Sequence, residues 1–361
     1  MANLTSPEIT ISFIEKGASA IQRSERGTVA LVLKDSVEGG PFIVYTVSDI
    51  PADLTDANKK YVQDALVGYQ FTPKKVIVYV MTVSQSKTIA VCYTEMEKYF
   101  ETHNFDWIAI PTVETDGKAA EIATWIKGLR SNYHLGRKAV LPNQTADSEG
   151  VVNVTSSLYT ADGTEVTPEQ TTPRIAGLIA GTPMTIAATY APLLDYADCT
   201  RLTKSQADAA VTAGKLVYIW DGEKVKLNRA VNSFVTTTDS KGDSFKKIKI
   251  VEIMDQIQTD IRGTLEDSYI GKYANSYDNK CLLITAINAY FAELIRTGLL
   301  ANGTCEIDLT AQRNYLMSQG EDVENMTDQQ IKEGNTGSHV FLRAVISILD
   351  AMEDIQLEIY I

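Results

Sequence analysis

The 361-residue chain is short of the residues and motifs that carry chemistry. It has 3 histidines, His103, His134 and His339, and none has a second histidine or a cysteine at ligand spacing, so a metal centre is not expected. Its 4 cysteines, Cys92, Cys199, Cys281 and Cys305, lie far apart with no CxxC pair, which reads as free thiols in a reducing compartment. There is no GxGxxG after the first strand-like run and no GxxxxGK[ST]; Gly39-Gly40-Pro41 is too short to cradle a pyrophosphate. No cofactor is therefore expected. Positive charge is also scarce: 33 Lys and Arg against 46 Asp and Glu give a net charge of −13, which argues against nucleic acid and against an anionic membrane surface. No apolar run reaches the roughly 18 residues of a membrane span. The start, MANLTSPEITISF, lacks the basic and apolar regions of a signal peptide, so synthesis and folding in the cytoplasm are expected.

What is present is a well-cored globular composition, 44% hydrophobic and 22% charged, with length for about two domains. Strand and helix patterns alternate through the middle. Thr28–Leu33, Lys75–Met81, Asp106–Ile110, Lys138–Leu141 and Gly150–Val154 read as strands, most of them continuous β-prone runs covered on both faces. Between them, residues 51–66, 87–100 and 117–129 read as helices; Ile89, Cys92, Met96, Tyr99 and Phe100 share one face of the second. This order implies βαβ units and a doubly wound, mainly parallel sheet, an α/β class.

After Pro173 the pattern changes. Ile175–Gly181 opens a small-residue helix, residues 203–213 another, and Asp221-Gly222 marks a hairpin between residues 215–220 and 224–228. Phe234–Thr238 reads as a Thr-rich strand. Residues 247–300 read as helix with one break, Gly298 capping the second part. Asn302-Gly303 reads as a turn, residues 318–338 as loop, and residues 339–349 as a strand. The C-terminal part is thus α+β.

Two stretches resemble catalytic or binding elements. Gly181-Thr182-Pro183-Met184-Thr185 compares with the Gly-Thr-Ser-Met-Ala nucleophile segment of subtilisin-like proteases, but Pro183 has no hydroxyl, so no catalytic residue is expected there. Lys241, Lys246, Lys247 and Lys249 form the clearest basic run. It reads either as a solvated loop or as an electrostatic contact with an acidic protein partner.

The chain ends carry the strongest signal. Ile355, Leu357, Ile359 and Ile361 alternate with polar residues to the last position, the period of a half-buried strand. A strand running to a chain end needs a sheet to enter. Ile9, Ile11 and Phe13 repeat the pattern near the start. Two such ends point to pairing with neighbouring copies.

Together these features resemble the contractile tail sheath proteins of phages, phage-like particles and R-type bacteriocins. The residues carrying the resemblance are the N-terminal arm leading to Gly27–Val32, the βαβ middle, Asp255–Arg262, Asn279, Leu294–Leu300 and Ile348–Ile361. The resemblance implies residues 1–25 as an N-terminal arm, 26–230 as an α/β subtilisin-like sheath domain, 231–337 as a C-terminal α+β domain facing an inner tube, and 338–361 as a strand and arm. It implies a structural subunit rather than an enzyme, assembling as a helical homo-oligomer of stacked rings around an inner tail tube. Both arms complete a sheet in neighbours. Its partners would be the tube, baseplate and terminator proteins, with the lysine run touching the tube and with no nucleic acid or inserted membrane. Assembly in the bacterial cytoplasm and release in a particle or virion tail follow. The competing readings are an α/β hydrolase or nucleotide-binding enzyme, and another self-assembling tail or capsid component.

Overall fold

The computed structural model describes Ile21 and residues 26–37, 40–84 and 87–361. The expected N-terminal arm residues Ile9, Ile11 and Phe13 lie outside the described residues. The described chain forms two compact units. One comprises Arg23–Asp260 with Thr297–Leu299 and Ile348–Ile361; the other contains Ile261–Arg296 and Leu300–Ser347.

The first unit is built on a sheet whose strands are β1 (Thr28–Lys34), β2 (Phe42–Val44), β3 (Lys75–Met81), β4 (Trp107–Ala109), β5 (Lys138–Pro142), β6 (Val151–Val154) and β10 (Lys215–Leu216). Their spatial order is β10-β6-β5-β4-β1-β3-β2, parallel throughout except for the antiparallel edge strand β2. The alternation of side chains along β1 decides the two layers. Val29, Leu31 and Leu33 face the cluster that contains Ile175 and Leu178; Ala30 and Val32 face the one that contains Met96, Phe100 and Ile126. The first face is covered by α1 (Asp56–Val67) and α4 (Pro168–Ala180), the second by α2 (Ile89–Thr102) and α3 (Ala119–Asn132). The doubly wound α/β reading of the sequence holds.

Two small β elements complete this unit. β7 (Leu158–Tyr159) pairs with β8 (Glu165–Val166) and β9 (Asp198–Cys199), and β11 (Tyr218–Trp220) pairs with β12 (Val225–Leu227). The Asp221-Gly222 hairpin forms as expected: Asp221 Oδ1 accepts the N–H groups of Glu223 and Lys224, both at 2.9 Å. A helix α5 (Lys204–Thr212) stands where expected, started by the Thr203 cap.

Several expectations fail for identifiable reasons. α4 begins at Pro168, not after Pro173. Thr167 and Gln170 form a capping box, and Pro173 sits inside the helix. Proline cannot donate to the Glu169 carbonyl four residues back, but the Thr172 hydroxyl does so at 2.8 Å. Phe234–Thr238 forms no ladder. The N–H groups of Val235 and Thr236 donate to Asp147 Oδ1 at 2.7 and 3.0 Å, so a side chain takes the place of a partner strand.

The second unit holds α7 (Tyr277–Arg296), β13 (Leu300–Ile307), α8 (Leu309–Ser318), α9 (Asp328–Glu333) and β14 (Leu342–Ile348), whose strands pair as a two-stranded sheet. A single long helix, α6 (Ile248–Thr264), precedes it and widens at its end into a π-turn at Leu265–Tyr269, closed by the Ile270 N–H on the Leu265 carbonyl. Gly298, at φ 73°, follows α7 as expected. Asn302-Gly303 is not a turn but lies inside β13. A Cβ on Gly303 would stand 3.0 Å from the Phe291 Cβ, so the glycine serves close packing against α7. The expected loop at 318–338 contains α9, and α8 precedes it. Gln312 of α8, fully buried, donates to the Ile331 and Lys332 carbonyls at 2.5 and 3.0 Å.

Helix α4 approaches α1 so closely that a Cβ on Gly177 would stand 2.0 Å from the Ala65 carbonyl oxygen, whereas nothing lies within 4 Å of a Cβ on Gly263 in α6. Gly177→Ala should therefore lower the unfolding free energy by about 1–3 kcal/mol or more, and Gly263→Ala should raise it by roughly 0.5–1 kcal/mol, both read from denaturant unfolding.

Candidate functional site

The residue types that do chemistry are dispersed or already neutralised. His103 caps α2, with Nδ1 2.8 Å from the Tyr99 carbonyl and its ring stacked on Tyr99 at 3.8 Å. His134 lies in the loop after α3 at φ 53°, and His339 stacks on Phe341. Cys92, Cys199 and Cys305 are buried, and burial pushes the Cys199 thiol up to about 11, away from the thiolate. Among the described residues no group of three or more His, Cys, Asp or Glu is placed to hold a metal. Gly181 caps the C-terminus of α4, and the Thr182 hydroxyl donates to the Leu178 carbonyl at 2.7 Å, so Pro183 follows a helix end. A nucleophile there would have no helix N-terminus behind it.

In a parallel sheet, ligands bind beyond the carboxyl ends of the strands. There the chain has a depression of about 440 Å³ lined by Lys34, Asp35, Met81, Ile89 and Asp116. Its charged groups are satisfied by one another. Lys34 donates to Asp116 at 2.6 Å, and Tyr93 and Thr112 donate to the other oxygen of Asp116, both at 3.0 Å. Burial works against the Asp35 carboxylate, but hydrogen bonds from Thr55, Asn58 and Ser36 outweigh it and bring its pKa down to about 2. Glu97, partly buried on α2, has its pKa pushed up to about 7 by burial and then by Glu121 and Glu101.

The dominant electrostatic feature is internal. Lys138, on β5, is 3% exposed. Its Nζ meets Asp255 Oδ2 at 2.8 Å, Glu252 Oε1 at 3.0 Å and the Gly136 carbonyl at 2.9 Å. Arg130 clasps the same Asp255 carboxylate with two hydrogen bonds, 2.8 and 3.0 Å long, and Arg26 pairs with Glu252. Burial would raise the Asp255 pKa, but Lys138 and Arg130 outweigh it and hold it below the usual carboxylate range. Glu252 and Asp255 stand three residues apart on α6, so one helix face delivers both acids to the sheet.

The four lysines expected as one contact surface have separate partners. Lys241 pairs with Glu149 at 2.8 Å and lies over the Phe245 ring, and Lys246 pairs with Asp243 at 2.8 Å. Lys249 is buried, donates to the Thr185 carbonyl at 3.3 Å, and has its pKa lowered by desolvation. Lys247, at the start of α6, reaches the C-terminal segment, pairing with Asp350 and, at 3.1 Å, with Glu353. Arg229 joins it, 3.7 Å from Glu353 and 2.5 Å from Asp354. The Thr189 hydroxyl donates to Glu353 at 2.5 Å. No motif or spacing in the sequence marks this assembly, because the partners of Asp350, Glu353 and Asp354 are up to 164 residues away.

Beyond this anchor the chain is bare. Leu349 still donates to the Leu299 carbonyl at 2.9 Å, but residues 349–361 have no regular secondary structure. Ile355, Leu357, Ile359 and Ile361 are 83%, 77%, 76% and 122% exposed. A row of large aliphatic side chains in water on alternate positions is a strand's apolar face without its sheet.

Known proteins resemble this chain along most of its length. The family described as "Phage tail sheath protein central domain" matches residues 90–233, and "Phage tail sheath C-terminal domain" matches residues 240–361. The tail sheath protein of Clostridium phage phiCD119 is 38% identical over 358 residues, covering 97% of this chain and 98% of its own. The sheath tail protein DSY3957 of Desulfitobacterium hafniense shares the fold at a TM-score of 0.71 and 18% identity, over 83% of this chain and 94% of its own. The sheath protein in the contracted helical sheath of the anti-feeding prophage shares it at a TM-score of 0.72 and 15% identity, over 99% of both chains.

Two outcomes follow from the electrostatics. Asp255→Ala would strand Lys138 and Arg130 in the interior and should cost about 3–5 kcal/mol in urea unfolding. Because the folded Asp255 pKa is depressed, its contribution is present above the unfolded carboxylate value and is lost as pH falls through the folded one. Glu97 has the opposite sign. Its raised pKa means a contribution present below the unfolded value and lost as pH rises through about 7. Glu97→Gln should thus raise stability at pH 8 by about 1 kcal/mol, after allowance for its partial exposure, and change little at pH 4.

Proposed function

Because the chain belongs to the phage tail sheath family, and is thus a structural subunit of a contractile sheath, we propose that its C-terminal arm, Ile355–Ile361, is the joint that links each copy to the next. The observation that carries this is the arm itself: a strand pattern running to the last residue, exposed and without a sheet in the single chain. Strand addition would bury its four aliphatic side chains at about 1.5–3 kcal/mol each, roughly 6–12 kcal/mol before the costs of association. An acceptor is at hand in the β13–β14 sheet. Two strands alone are a marginal sheet, and β14 is largely exposed, Val345 being 52% accessible. The N-terminal pattern at Ile9, Ile11 and Phe13 would add a second strand.

In this reading copies polymerise helically around an inner tail tube, between a baseplate and a terminator. The domains turn as rigid bodies during contraction while the arms stay paired. Assembly takes place in the bacterial cytoplasm before release. The subunit carries no catalysis, in keeping with the neutralised groups at the strand ends. Of the lysine run proposed to touch an acidic tube surface, Lys249 is buried, and Lys241, Lys246 and Lys247 each pair with an acid of their own chain, so such a contact would exchange those partners for acids of the tube.

Deleting Ile355–Ile361 should leave the unfolding transition of the purified chain within about 1 kcal/mol of the full-length protein, since the arm makes little contact with its own subunit. Negative-stain imaging should show striated tubes for the full chain and none for the truncated one. Tubes from the truncated chain would refute the arm as the joint.

A further inference from the structure

The anchor ahead of the arm has a geometry that a simple tether would not need. Glu353 is enclosed, with its side chain 6% exposed, and three donors converge on its carboxylate: the Thr189 hydroxyl at 2.5 Å, Lys247 Nζ at 3.1 Å and Arg229 Nε at 3.7 Å. The Thr189 oxygen is itself fixed by the Ala230 N–H at 3.1 Å. Asp350 and Asp354 flank Glu353 on the chain and take the remaining donors of Lys247 and Arg229. The cations come from two different places, the segment after β12 and the first residue before α6, which the backbone ties together where the Ile248 N–H donates to the Ala230 carbonyl at 3.2 Å. Release begins immediately afterwards, at Ile355.

We propose that Lys247, Arg229 and Thr189 form an ionic latch on Asp350, Glu353 and Asp354 that sets where the arm leaves its own subunit, and so sets the length of chain available for exchange. This rests on the arm being the joint. With the latch closed, the 7 residues from Ile355 are free and span roughly 23 Å. With it open, the free segment would begin at Asp350, and its 12 residues would reach roughly 40 Å. A sheath lattice needs one spacing between copies. A closed latch supplies it by ruling out slack, and the alternation of Ile355 to Ile361 then meets its acceptor in one register, since a slip of one residue would turn the apolar face outward. Lys247 and Arg229 are in this sense positioning residues, acting on the arm through its root.

The test uses the full-length chain and reads the latch apart from assembly. Backbone order parameters from nuclear spin relaxation of the unassembled chain should fall at residues 350–354, from about 0.8 to below about 0.6, in Lys247→Ala/Arg229→Ala, and also in Glu353→Gln, which keeps the side-chain shape. They should fall for the unaltered protein between about 0.1 M and about 1 M salt, which needs no substitution and so no assumption about folding of a variant. The variants, with residues 355–361 intact, should form tubes of irregular helical order or none. Unchanged order parameters with salt and in the variants would overturn the latch; so would lowered ones with tubes of normal helical order. Failure of the arm reading is separate: it is declared by tubes from the chain lacking residues 355–361, whatever the order parameters at 350–354.

Discussion

Lys138 brings its amine to a buried position at the start of β5, and the first unit is arranged around what that group requires. An isolated ammonium there would be prohibitively costly, and the compensating carboxylates come from α6, Glu252 at 3.0 Å and Asp255 at 2.8 Å. Arg130 and Arg26 complete the balance from α3 and from the approach to β1. The network therefore fixes the rotation and height of α6 against the sheet, because a helix turned by one residue would remove both acids at once. Position follows from that for Lys247, one residue before α6, and so for the C-terminal segment that Lys247 holds. A charge buried in the sheet and the root of an exposed arm are linked through one helix.

The same economy of charge governs the place where a parallel sheet presents its ligands. The carboxyl ends of β1 and β3, where a parallel sheet would present its ligand, are occupied by pairs and hydrogen-bonded carboxylates that complement one another. Such groups stabilise the ionised state and resist proton transfer. What stays unsatisfied in the first unit is apolar surface at the chain end, and apolar surface is a resource for association.

Legibility in the sequence followed how local the deciding interaction was. β3 was readable to the residue because Lys75–Met81 is a β-prone run whose burial on both faces is announced by its composition. The stripe Cys92, Met96 and Phe100 announced α2 in the same way. The start of α4 was missed because a single hydroxyl, that of Thr172, satisfies the carbonyl that Pro173 would otherwise orphan. Phe234–Thr238 reads as a strand until Asp147, 88 residues away, takes its N–H groups. Gly303 reads as a turn until Phe291 presses against it. In each case the local pattern was correct about preference, and a distant partner decided the outcome.

The alternation of Ile355, Leu357, Ile359 and Ile361 is a covalent fact, and with it the sequence determined that these residues carry the apolar period of a strand; period-2 hydrophobicity needs no tertiary contact to exist. The α/β order and the lack of a nucleophile at Pro183 were determined in the same way. Only the tertiary structure showed what holds the segment ahead of them. The acids at 350, 353 and 354 have no periodicity that marks them, and their partners, Thr189, Arg229 and Lys247, are up to 164 residues away. Side-chain charge is indifferent to sequence separation and acts through space, so the root of the arm became visible only once the fold had brought those cations together.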